Sequence, residues 1–70
     1  MMDFTKCDAA FDADMAFWKA CVKQFGMARA HRARHMPTLF DAATLEAYNH
    51  KLSAELDWQA YLLEQRRNLR

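Results

Sequence analysis

The densest group of reactive side chains is Met27–His35, which reads Met-Ala-Arg-Ala-His-Arg-Ala-Arg-His. Arg29, Arg32 and Arg34 fall on about two helical turns, where guanidinium groups could neutralise the phosphates of a nucleic acid. His31 and His35 stand four residues apart, so one helix face could offer two imidazoles to a metal, with His50 as a third ligand. Each feature has a plainer counterpart. Basic residues at a helix C-terminus offset its dipole. The net charge of the chain is only +1, and no base-stacking pattern of aromatics accompanies the arginines, which argues against nucleic acid as the main partner. Two histidines are half a metal site, and no Glu completes an H-E-x-x-H pattern. We therefore expect no metal and no cofactor.

Catalytic sets are equally sparse. No Ser/His/Asp or Cys/His group can be assembled from spacing, and a chain of 70 residues has little room for a deep cleft. We expect no enzyme and no catalytic residue. Ser53-Ala54-Glu55-Leu56-Asp57 nevertheless resembles the Ser-x-Glu-Leu-Asp signature of the small helical-hairpin aspartyl-phosphate phosphatases that act on sporulation response regulators. In that family the motif's Asp and its neighbours insert at the phosphorylated aspartate, so the resemblance implies such a role for Asp57. It covers five residues, and Gln59 and Ala60 stand where the family continues with leucines.

Trp58 and Tyr61 carry a different kind of chemistry. They are three apart, flanked by Asp57, Gln65, Arg66 and Arg67. Trp, Tyr and Arg dominate binding hot spots because they bury large rigid surface while keeping a polar tip. Trp58, Tyr61 and Arg66, with Phe17 on the first half of the chain, are the expected partner-binding residues, or else the contact to a dimer mate.

Two helices must position these groups, and the segment His35–Asp41 separates them. It holds the only proline, Pro37. Pro37 lacks an N–H and pushes Met36 out of the α region, so the first helix should stop near His35. Thr38 and Asp41 compete as N-cap of the second helix. With Asp41 as cap, Phe40 and Leu45 take the positions of a hydrophobic staple. Thr5-Lys6-Cys7-Asp8 repeats the capping spacing at the start of the chain. The expected elements are a helix over about 6–35, a turn at 36–40 and a helix over about 39–68, in one domain spanning 1–70. One Gly and one Pro leave too little turn chemistry for a β fold. Gly26 falls inside the first helix, where a tolerated interior glycine, at about 1 kcal/mol relative to Ala, is favoured over a kink or a close helix approach.

Each helix carries two apolar stripes. Phe11, Met15, Trp18, Cys21, Val22 and Phe25 share one face of the first; Ala10, Ala13, Phe17, Ala20, Ala28, His31 and His35 share another. On the second, Leu45, Tyr48, Leu52, Leu56, Gln59 and Leu63 form the stripe expected to face the first helix. Ala43, Ala47, Ala54, Trp58, Tyr61 and Leu62 lie nearly opposite. Two stripes call for two neighbours. We therefore expect an all-α antiparallel hairpin that pairs as a homodimer into a four-helix bundle.

Charge follows the same plan. Residues 1–14 are net −3, 15–37 net +5, 38–65 net −4 and 66–70 net +3. Each helix begins acidic and ends basic, as its dipole favours. Cys7 and Cys21 are fourteen apart, roughly 21 Å along one helix, too far for a disulfide. A reduced, cytoplasmic protein is the expectation, with no secretion signal and no apolar run near the ~20 residues that cross a bilayer. These observations favour a small protein-binding regulator, an inhibitor, anti-activator or adaptor that occupies the surface of a host or cognate protein. A phage or mobile-element origin would fit the size. The alternatives are nucleic-acid binding through Arg29, Arg32 and Arg34, and the phosphatase-like role.

Overall fold

The computed structural model describes residues 3–68 and is helical throughout, with no strand among them. The elements are α1 (Thr5–Phe25), α2 (Met27–Ala33), a 3-10 turn (Pro37–Leu39) and α3 (Ala42–Asn68). α1 and α3 run antiparallel as a hairpin 47 Å long and 18–19 Å across. α2 folds back against α1 near the turn.

Local chemistry explains the boundaries. Asp3 accepts from the Thr5 backbone N–H at 2.9 Å and the Thr5 hydroxyl at 2.6 Å, which anchors the start of α1. Thr5 is thus the first helical residue rather than the cap. Gly26 does not continue the helix as expected. It sits at φ 82° and ψ 155°, a conformation side-chain-bearing residues rarely adopt, and divides the expected 6–35 helix in two. Its N–H still closes α1 on the Val22 carbonyl at 2.8 Å, and its own carbonyl opens α2 by accepting from Ala30 at 2.9 Å. The glycine was the sharper signal: only a residue without Cβ makes this reversal inexpensive.

The second start resolves in favour of Asp41, whose carboxylate accepts from the Thr44 N–H at 2.8 Å. Thr38 lies in the 3-10 turn that Pro37 opens. Gln24 holds the turn from the side: its Nε2 donates to the Leu39 carbonyl at 2.8 Å, and its Oε1 accepts from the Asp41 N–H at 2.9 Å. Phe40, expected to staple onto Leu45, instead turns inward. Its ring lies 5.4 Å from those of Phe17 and Tyr48, which are 5.4 Å from each other, a closed aromatic triangle. Leu45 stays 42% exposed.

The core is small. Ala10, Ala13, Phe17, Cys21, Ala30, Ala33 and Thr44 are buried. Trp18, Val22, Phe25, Phe40, Ala47 and Tyr48 pack around Phe17, Cys21 and Ala30.

Candidate interaction surface

On α3 the seam is made mainly by the stripe not expected to face α1. α1 buries Ala10, Ala13, Phe17 and Cys21, and α3 buries Thr44 and half-buries Ala47, Ala54, Trp58, Tyr61 and Leu62. Phe11 is 64% exposed, Leu56 65% and Leu63 59%; Met15, Leu45 and Leu52 are also exposed. Small side chains let two helices approach closely, while Phe17 and Tyr48 fill the wider space near the turn. The expectation that the Leu45–Leu63 stripe faces α1 is therefore corrected: its leucines face out, and only Tyr48 of that stripe packs inward.

Both outward stripes lie on one side of the hairpin. Around α1, Phe11 and Met15 stand about a third of a turn past the seam residues, and Leu52 and Leu56 do the same around α3. Because the helices run in opposite directions, these equal rotations turn toward the same side. The pairing register agrees, since Lys51 reaches Asp14 at 3.8 Å and Phe4 lies 6.2 Å from Trp58. Phe11, Met15, Leu52 and Leu56 thus form an exposed strip over the open half of the hairpin. Between its two rails, Lys51 bridges Asp14 and, at 2.9 Å, Glu55.

Over the turn half, the same side is covered by α2. Ala30 and Ala33 face inward. Trp18 lies 4.8 Å from His31 and beneath the Arg34 guanidinium at 5.7 Å. α2 and the turn enclose a groove of about 480 Å³ with Phe25, Met36 and Leu39 as its apolar wall and Arg29 and Arg32 at its rim.

The structure separates the residues singled out from sequence. Phe17 is 2% exposed and central to the core, so it offers no surface to a partner. Trp58 and Tyr61 are half-buried and turned toward α1, not away from it: they stack on each other at 5.8 Å, and the Tyr61 hydroxyl accepts from the Asp3 N–H at 2.8 Å. Arg66 is exposed in the last turn of α3. Of the three arginines, Arg34 is engaged with Trp18, while Arg29 and Arg32 are exposed. His31 packs on Trp18 and His35 borders a shallow hollow with Tyr48 and Leu52; His50 lies on the opposite side of the hairpin, beside Ser53 and Asp57. Among the described residues no three His, Cys, Asp or Glu side chains gather as for a metal. In the Ser53–Asp57 stretch, Glu55 is tied to Lys51 while Ser53 and Asp57 are exposed. Both cysteines are free, and burial pushes the Cys21 thiol up from its ordinary value.

Sequence reasoning passed over Gln24, Lys51 and Thr44. Thr44 is 1% exposed and its hydroxyl donates to the Ala20 carbonyl at 3.4 Å. Its position three residues after Asp41 was the available signal. No described helix is long and apolar enough to cross a membrane. Compared with protein-family models, curated proteins and solved structures, the chain matches none of them.

Proposed function

We propose that this chain is a small non-enzymatic protein-binding regulator, an inhibitor, anti-activator or adaptor, that also self-associates as a homodimer. The supporting observation is the strip of Phe11, Met15, Leu52 and Leu56 on one side of the hairpin. At ~200 Å² for a large apolar side chain, these four expose on the order of 400 Å². Patches of several hundred Å² on small proteins mark surfaces that meet other proteins. The strip lies on rigid helices, which limits the entropy lost on binding. Self-association and partner capture share it, so the two compete, and a partner occupies the chain by displacing its mate. The paired hairpins form the four-helix bundle, with α2 as an added segment on each.

Affinity capture from the source cells, followed by mass spectrometry, tests this reading. Wild-type protein should retain a specific partner that Phe11→Gln with Leu56→Gln does not, with nuclease making no difference. Capture that disappears with nuclease and with Arg29→Gln and Arg32→Gln would replace this reading with nucleic-acid binding.

A further inference from the structure

The strip and α2 differ in charge, and within one chain they come together only where Arg34 and His35 share a hollow with Lys51 and Leu52. α2 thickens one side of the hairpin over its turn half only. The open half of that same side is a recess with Lys51, Asp14 and Glu55 at its floor, between the apolar rails of Phe11 and Met15 on α1 and Leu52 and Leu56 on α3. The halves also differ in charge. Residues 16–49, the turn half, carry five Lys/Arg and two Asp/Glu, a net of +3. Residues 3–15 and 50–68, the open half, carry seven Asp/Glu and four Lys/Arg, a net of −3. The recess holds the carboxylates of Asp14 and Glu55 beside the one ammonium of Lys51, and Asp8 stands just outside its Met15 rail, while α2 presents Arg29 and Arg32 with Met27 and Ala28 exposed beside them.

We infer that the strip is covered by a second copy of this chain running antiparallel, so that the basic α2 of each copy seats on the acidic recess of the other, between its apolar rails. A two-fold axis makes both contacts identical, as isologous dimers require. The parallel arrangement would set α2 against α2 and place like charge on like. The dimensions of the chain agree. Its accessible surface is 5639 Å², whereas a compact monomer of this mass exposes about 4,500 Å². The excess is comparable to the ~800 Å² that one partner contributes to a standard interface. Its radius of gyration is 14.6 Å, against ~11 Å for a compact 70-residue chain and ~14 Å for one of twice that length.

This inference rests on the self-association proposed above and adds its geometry. Sedimentation equilibrium at tens of micromolar should give twice the 8.2 kDa chain mass for the wild type. Arg29→Glu with Arg32→Glu, and separately Asp8→Lys with Asp14→Lys, should each raise the dimer dissociation constant at least tenfold. Mixed in equal amounts, the two variants should regain wild-type affinity as a heterodimer, because both of its contacts are again complementary. A charge-neutral measurement guards against a variant that folds poorly. With Cys7→Ser and a spin label on Thr38→Cys, the two labels of a dimer should lie apart by a distance near the 47 Å hairpin length. Labels separated by only about the 18–19 Å thickness overturn the antiparallel seating and leave self-association intact. Variants that each dimerise like the wild type, or a mixture without rescue, do the same. A wild-type monomer overturns both statements and leaves the strip to a different protein.

Discussion

Exchanging the roles of two phenylalanines tests which side of α1 is the inside. Phe17 is 2% exposed and Phe11 64% exposed. A Phe side chain buries ~200 Å², so at ~25 cal/mol per Å² Phe17 contributes about 5 kcal/mol and Phe11 less than 2 kcal/mol as upper bounds. Truncating a buried Phe to Ala typically costs about 3–5 kcal/mol. A 70-residue chain holds only about 4–10 kcal/mol in total. Phe17→Ala should therefore remove half or more of the stability and leave much of the protein unfolded in buffer. The aromatic triangle sharpens the effect, since Phe40 and Tyr48 lose their common neighbour. Urea titration followed by circular dichroism at 222 nm measures it. The Phe17→Ala deficit should persist unchanged when the protein is diluted a hundredfold. Under the proposed self-association, the smaller Phe11→Ala deficit should shrink on dilution. If Phe11→Ala costs as much as Phe17→Ala at both concentrations, the assignment of inner and outer faces is refuted.

Three further outcomes follow from the local geometry. Gly26→Ala meets no neighbour within 4 Å of the new Cβ, so its cost of about 1–3 kcal/mol comes from backbone strain at φ 82° alone. Relief of that strain by straightening α1 into α2 would appear as changed Trp18 fluorescence, as His31 and Arg34 leave the indole. Gln24→Ala removes both side-chain bonds to the turn and should cost about 1–3 kcal/mol in thermal or urea unfolding; an unchanged midpoint would show that the turn holds itself. The Thr44 N–H holds the Asp41 carboxyl below its ordinary value, and Thr5 does the same for Asp3. A carboxyl lowered in the folded state stabilises the protein above its unfolded pKa, and that contribution is lost as pH falls through the folded value. Stability should therefore drop below about pH 4, and Asp41→Asn should flatten this part of the profile; an identical acid profile in the variant refutes the capping role.

Much of the architecture was legible in the chain itself. The helical periodicity, the single proline, the capping spacing before Thr44 and the alternating charge blocks prescribe two long antiparallel helices joined near residues 36–41, and each signal is local. Gly26 was visible too, but its effect depends on energy from elsewhere. A glycine inside a helix is tolerated unless breaking there lets something better form, and here α2 gains a seat on Cys21 and Trp18. Periodicity identified most members of each apolar stripe, but it grouped Cys21 and Tyr48, which lie in the core, with residues that face out, and it did not identify which side turns inward. That choice belongs to the tertiary structure. Ala10, Ala13, Ala47 and Ala54 let the helices close, and Phe17, Phe40 and Tyr48 complete a triangle that no single helix contains. The Leu45–Leu63 stripe was expected to face the first helix, but side-chain size measures how much burial is worth and not whether two surfaces fit. Two helices offer one seam, this chain carries more large apolar side chains than that seam can cover, and packing geometry decided which of them remained outside.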